Sequence, residues 1–237
     1  MKIIFSDYDG TIKPFFNNPN IFEKITFKKN LSTINKFIDN GNQFVITTGR
    51  STNSILEEIK RYKINFSYLS TYDGRVTFDN NLNLLNSKKI SKEVLLELKK
   101  IIENEKIVKR ATIYDEYGKI DEINEVVLMS IKPKSINELQ RILKSLFEYE
   151  NSISIIPNFL HKEIVVAPKS NKVDGARFLI EKNNWNIKDV CSVGDSKNDL
   201  ELLTEYDGYR MLFSHNCLLM PVENVTTSVH KLIKKID

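Results

Sequence analysis

A chain of 237 residues with 41% hydrophobic and 28% charged side chains is long enough for one large or two small domains, each with a buried core. Thirty-five Lys and Arg against 31 Asp and Glu leave a net charge of +4, too small to point to nucleic acid, and lysines such as Lys99, Lys100, Lys231, Lys234 and Lys235 read as solvated helix surface. Cys191 and Cys217 lack metal-ligand spacing, which excludes a zinc site and a disulfide framework. No signal peptide is visible and no apolar run nears the roughly 18 residues that span a bilayer, so a cytoplasmic monomer without membrane partners is expected.

The first apolar run, residues 2–5, reads as a buried strand and runs into Ser6-Asp7-Tyr8-Asp9-Gly10-Thr11. Strand side chains alternate, so Asp7 and Asp9 fall on one side as the strand ends. Gly10 lets the backbone turn sharply, and Thr11 adds a hydroxyl and an N–H. Two carboxylates at one strand end repel each other. A hard divalent cation such as Mg²⁺ would resolve the conflict, and a solvated surface turn is the bland alternative. Helical spacing follows at Leu31, Ile34, Phe37 and Ile38, then a second strand at 43–47 that ends in Thr47-Thr48-Gly49-Arg50. Thr48 and Gly49 offer a hydroxyl and an open backbone to a ligand, or Thr48 simply N-caps the next helix, marked by Ile55, Leu56 and Ile59. A third strand at 68–70 leads into Tyr72-Asp73-Gly74.

From about 76 to 167 the pattern changes to helix, strand, strand, repeated once. Helices are predicted at 92–104 and 135–149, and strands near 107–114, 126–132, 152–156 and 163–167. Strand pairs joined by polar turns imply an antiparallel sheet with helices on one face, a small α+β insert. The remaining segments, 1–75 and 168–237, alternate strand and helix, which means a Rossmann-like α/β core: a parallel sheet with helices on both faces.

After the insert, Lys172 stands just before a helix with apolar residues at Val173, Ala176, Leu179 and Ile180. An ammonium there opposes the helix dipole unless it meets an anion. Residues 190–193 read as a buried strand with Cys191 as a core thiol, followed by Gly194-Asp195-Ser196-Lys197-Asn198-Asp199, a less regular helix at Leu200, Leu202 and Leu203, and a strand at 209–212. Asp195 and Asp199 face the same way. Ligands of open parallel sheets bind beyond the carboxyl ends of the strands, so all these segments should converge, and their carboxylates are costly without a metal.

The ordered set Asp7-Tyr8-Asp9-Gly10-Thr11, Thr48-Gly49-Arg50, Lys172 and Gly194-Asp195-Ser196-Lys197-Asn198-Asp199 resembles the haloacid dehalogenase-superfamily phosphohydrolases, in particular their Cof-type branch. The insert falls where that branch carries a substrate-selecting cap of the C2 type. The resemblance implies a Mg²⁺-dependent phosphatase acting on a small-molecule phosphate ester, such as a sugar phosphate. By this resemblance Asp7 is the nucleophile that forms an aspartyl-phosphate and Asp9 the general acid and base. Asp7, Asp9 (through its carbonyl), Asp195 and Asp199 hold the metal, and Thr48 and Lys172 hold the transferring oxygens. Gly10, Thr11, Gly49 and Asn198 complete the substrate site, with Asn198 fixing Lys172 or its own loop and Arg50 structural rather than catalytic. Phosphotransfer between sugars and a non-catalytic metal-binding module are the alternatives. One departure is Asp73, where the family commonly has Asn: either it points away as a turn residue, the favoured reading, or the substrate contacts differ.

Overall fold

A computed structural model describes residues 1–14, 20–104, 106–123, 125–212 and 221–236; Cys217 lies outside the described residues. In chain order the elements are β1 (Ile3–Ser6), α1 (Ile21–Asp39), β2 (Gln43–Thr47), α2 (Thr52–Tyr62), β3 (Tyr68–Thr71), β4 (Val76–Asp79) and β5 (Leu84–Ser87). Then come α3 (Lys92–Ile102), β6 (Val108–Tyr114), β7 (Lys119–Ile120), β8 (Leu128–Pro133), α4 (Ile136–Leu146), β9 (Ile153–Asn158) and β10 (Glu163–Pro168). The chain closes with α5 (Lys172–Asn183), β11 (Val190–Gly194), α6 (Leu200–Glu205), β12 (Asp207–Met211), β13 (Val225–Thr226) and α7 (Val229–Ile236). These fall into two compact units, one of residues 1–50, 54–86 and 171–237, the other of 51–53 and 87–170.

The first unit is built on an eight-stranded sheet in the order β13-β12-β11-β1-β2-β3-β4-β5. The strands from β13 to β3 run parallel, with Ile3 of β1 in register with Val190 on one side and Gln43 on the other. Every residue of β1 and β11 is buried, as expected for central parallel strands covered on both faces. Phe5 is fully buried, stacked on Tyr206 at 6.2 Å between centroids and edge-on to Trp185 at 6.3 Å. Burial of such a side chain contributes about 1.5–3 kcal/mol. The chain leaves β1 for β2 on one side and returns after the intervening residues to β11 on the other. Strand order therefore reverses at β1, which makes its carboxyl end the switch point where α/β sheets bind ligands.

Two differences from the sequence reading have local causes. Helix α1 begins at Ile21, ten residues ahead of the apolar spacing at Leu31, because Asn20 and Glu23 form a capping box: Asn20 Oδ1 accepts from Glu23 N at 3.0 Å, and Glu23 Oε2 accepts from Asn20 N at 2.7 Å. Residues 76–86, which the sequence reading assigns to the insert, pack with the first unit. They do so because β4 pairs antiparallel with β3, Leu69 opposite Phe78, and buries Val76 and Phe78 within the same sheet.

The second unit is an antiparallel five-stranded sheet, β7-β6-β8-β10-β9. Met129 and Ile131 on β8 and Ile164 and Val166 on β10 are buried at every second residue. They form one core with Val94, Leu98 and Ile101 of α3 and Leu139, Ile142 and Leu146 of α4. Ser91 and Ser135 cap the two helices, accepting from Val94 N and Glu138 N. No helix among the described residues is long and apolar enough to cross a membrane.

Candidate active site

The first motif leaves β1 as a tightly stitched turn. Asp7 N donates to Val193 O at 2.9 Å, which ties the end of β1 to β11. Ile12 N and Lys13 N both donate to Tyr8 O, at 3.0 and 2.9 Å, and Gly10 N donates to Lys13 O at 2.8 Å. Gly10 has φ +78°, and a Cβ there would stand 2.3 Å from Asp195 Oδ2, so the turn lies directly against that carboxylate. Thr11 is buried, and its hydroxyl has no hydrogen-bond partner.

Lys172 is the first residue of α5, held there by a capping box between Asn171 and Asp174. Its buried ammonium donates to Asp7 Oδ1 and to Asp199 Oδ1, both at 2.6 Å, which answers the question posed by a cation at a helix N-terminus. The other Asp199 oxygen accepts from Asp195 N at 3.1 Å, Ser196 N at 3.0 Å and Ser196 Oγ at 3.1 Å. Asp199 therefore organises the loop that carries Asp195. The Ser-x-x-Asp spacing of 196 and 199 is a capping box legible in the sequence, and it is the signal that the sequence reading missed there.

Carboxylate oxygens of Asp7, Asp195 and Asp199 lie within 4.8 Å of one another, and all three residues are buried. Burial pushes the Asp7 carboxyl well above the usual range; Lys172 opposes the shift, while Asp199 and Asp195 add to it. Burial, followed by the charge of Asp199, lifts Asp195 to about 6. Burial alone would lower Lys172, but Asp7 and Asp199 outweigh it and keep the ammonium charged. One cation among three buried carboxylates leaves negative charge uncompensated. The donor set is all oxygen, so these residues could hold a hard divalent cation.

Thr48, Arg50 and Asp9 find their partners outside this cluster. Thr48 is buried, donates its N–H to Ser70 O at 2.9 Å and accepts from Arg50 N on Oγ1 at 3.2 Å; it does not cap α2, which starts at Thr52. Arg50, expected to be structural, forks onto Asp9: Nε to Oδ2 at 2.6 Å and Nη2 to Oδ1 at 2.7 Å. Those hydrogen bonds to Asp9 raise the Arg50 pKa further. The Asp9 carboxylate is thus directed to Arg50 and is not part of the three-carboxylate cluster.

Asp73 does not point away. Tyr72, Asp73 and Gly74 all have positive φ (50°, 52° and 83°), and the turn is sewn onto the second motif by Asp73 N to Thr48 O and Tyr72 N to Arg50 O, both 3.0 Å. Asp73 Oδ1 then accepts from Asn198 Nδ2 at 3.0 Å, and a Cβ on Gly49 would meet the same oxygen at 3.0 Å. Asn198 also accepts from Ser196 Oγ, so it fixes its own loop and the 72–74 turn rather than Lys172. Gly74 closes against α5, where a Cβ would stand 2.1 Å from Asn171 O. Arg75, which the sequence reading did not single out, is buried and donates to Tyr72 O at 2.6 Å.

A family model described as haloacid dehalogenase-like hydrolase matches residues 4–118 and 104–211. No curated protein matches the sequence. Similar solved structures include a protein of Thermotoga maritima, with TM-score 0.80, 18% identity and coverage of 100% of this chain and 97% of that one. A HAD/COF-like hydrolase of Plasmodium vivax has TM-score 0.73 and 18% identity, covering 100% and 95%. A structure described as a HAD subclass IIB sugar phosphatase has TM-score 0.70 and 17% identity, covering 99% and 98%.

Proposed function

The chain belongs to the haloacid dehalogenase-like hydrolases, and on that premise we propose that it is a Cof-type, Mg²⁺-dependent phosphatase of small-molecule phosphomonoesters. The observation that carries this reading is Asp7, buried at the switch point of the sheet with one oxygen on Lys172 and its neighbours Asp195 and Asp199 close by.

Asp7 attacks the phosphorus: a bond forms between its carboxylate oxygen and phosphorus as the bond to the alkoxy oxygen breaks. Asp9 gives the leaving oxygen its proton, so the first half-reaction yields a free alcohol and an aspartyl-phosphate. Asp9, now a carboxylate, takes a proton from the water that attacks the same phosphorus. Phosphate leaves, and Asp7 is restored. The fork from Arg50 suits the ionised Asp9 of the second half-reaction, whereas proton donation in the first requires the carboxyl to let go of the guanidinium. Lys172, the Thr48 and Thr11 hydroxyls and the Thr11 N–H offer donors for the transferring oxygens, the electrostatic contribution that dominates phosphoryl transfer, whereas the Gly10 N–H, expected at the substrate, is taken by Lys13 O.

Mg²⁺ would be held by Asp7, Asp195 and the Asp9 carbonyl, with Asp199 behind them, and supplies positive charge between an anionic nucleophile and an anionic substrate. Leaving-group recognition falls to the insert, because none of the motif residues lies within 87–170. The test is release of inorganic phosphate from p-nitrophenyl phosphate and a panel of sugar, nucleotide and cofactor phosphates, before and after chelation. Activity that disappears on chelation and returns with Mg²⁺ is expected. Full activity after exhaustive chelation would overturn the metal assignment, and phosphate migration between sugar hydroxyls without release would replace hydrolysis with transfer.

A further inference from the structure

The residue between the two motif aspartates is a tyrosine, and its side chain is completely buried. A buried phenol is costly unless its hydroxyl is bonded. Here Tyr8 Oη donates to Glu58 Oε2 at 2.9 Å, and Glu58 comes from the middle of α2, outside every motif. The same Glu58 oxygen accepts from Lys13 Nζ. Tyr8 and Lys13 are the two residues between which the Asp9–Ile12 turn is closed, since Lys13 N donates to Tyr8 O and Gly10 N to Lys13 O. One carboxylate oxygen therefore ties both ends of the turn that bears Asp9, Gly10 and Thr11.

The contacts around this clamp reinforce it. Arg50 lies over the Tyr8 ring, 5.4 Å from its centroid, while it forks onto Asp9, so the residue that bonds Glu58 also packs against the guanidinium that orients Asp9. Lys13 Nζ is 5.4 Å from the Tyr62 ring centroid, one further helical turn along α2. Asn30 of α1 holds the turn independently: its Nδ2 donates to Ile12 O at 2.9 Å. Burial alone would raise the Glu58 carboxyl, but the hydrogen bonds from Lys13 and Tyr8 outweigh it and keep the group below the usual range.

We infer that Glu58 is a positioning residue, which acts through Tyr8 and Lys13 to hold the Asp9-Gly10-Thr11 turn in the geometry that phosphoryl transfer requires. The catalytic part of this inference rests on the proposed phosphatase reading; the mechanical part does not. A contact that merely anchors α2 would lower stability without changing the turn's fluctuations or the turnover of folded molecules.

The experiment compares wild type with Glu58→Ala, Glu58→Gln and Tyr8→Phe by three measurements on the full chain. These are hydrogen exchange of the Ile12 and Lys13 amides, kcat and KM for p-nitrophenyl phosphate with Mg²⁺, and Tm. Glu58→Ala should speed exchange of the two amides at least about tenfold and lower kcat by about tenfold, with KM within about threefold, a barrier change of about 1.4 kcal/mol. Tyr8→Phe and Glu58→Gln each remove or weaken one arm of the clamp, remain nearly isosteric, and should fall between; they carry the test if Glu58→Ala does not fold. Wild-type exchange and kcat in folded variants with lowered Tm would overturn the inference. If wild type hydrolyses no ester, the function reading fails separately: faster exchange at 12 and 13 still supports the clamp, and unchanged exchange overturns it.

Discussion

Lys172 Nζ stands 2.6 Å from Asp7 Oδ1 and 2.6 Å from Asp199 Oδ1, so a single buried ammonium joins the first motif to the last. Removal of one partner from a buried ionic cluster costs about 3–5 kcal/mol, because the groups left behind are desolvated and unpaired. Lys172→Met should therefore destabilise the metal-free protein by about 3 kcal/mol in urea unfolding at neutral pH. Mg²⁺ should raise the mutant's midpoint more than that of wild type, since it supplies the missing positive charge. Equal Mg²⁺ shifts in the two proteins would place the cation elsewhere.

Asp7→Asn tests the nucleophile. The amide keeps the size of the carboxyl and can still accept from Lys172, but it cannot attack phosphorus. Turnover should drop at least about a thousandfold, about 4 kcal/mol in barrier. The circular dichroism spectrum should match wild type. Residual activity within about tenfold of wild type would remove Asp7 from the nucleophile's role.

Asp73→Asn separates a brace from a charge. The amide side chain retains an oxygen for Asn198 Nδ2, and asparagine tolerates the left-handed backbone, but the buried Arg75 guanidinium, 3.9 Å from Asp73 Oδ2, loses a facing charge, so Tm should fall by about 2–4 °C, the scale of about 1 kcal/mol. The loss of one carboxylate beside a site for anionic esters should lower KM about two- to fivefold, the scale of a partly screened charge interaction near 1 kcal/mol. An unchanged or higher KM would mean that Asp73 does not oppose the substrate's phosphate.

Replacement of residues 87–170 by a short linker tests the insert. The unit that carries Asp7, Thr48, Lys172 and Asp195 keeps every strand of its sheet without those residues, losing only Ser87 at the end of β5. A folded capless core should still hydrolyse small activated esters while kcat/KM ratios among larger substrates collapse toward one another. Ratios equal to those of the full chain would place specificity in the core.

Much of this protein is set by local sequence. Apolar runs such as Ile3–Phe5 and Phe44–Ile46 mark the central strands, because a parallel strand buried on both faces leaves few places for polar side chains. Of the four aspartates expected to converge, the carboxylates of Asp7, Asp195 and Asp199 do so, because they follow strands of the same sheet, whose ends must meet, whereas that of Asp9 turns to Arg50. Tertiary structure alone decided matters that depend on partners distant in the chain. Val76 and Phe78 fall to the insert by sequence and join the first sheet only because β4 pairs with β3, since short strands carry no label of the sheet they join. Arg50 showed its role only when Asp9, 41 residues away, accepted its guanidinium. Asp73 turned inward because Asn198, 125 residues on, donates to it, and a side chain's direction in a turn is set by the bond it finds rather than by its own preference.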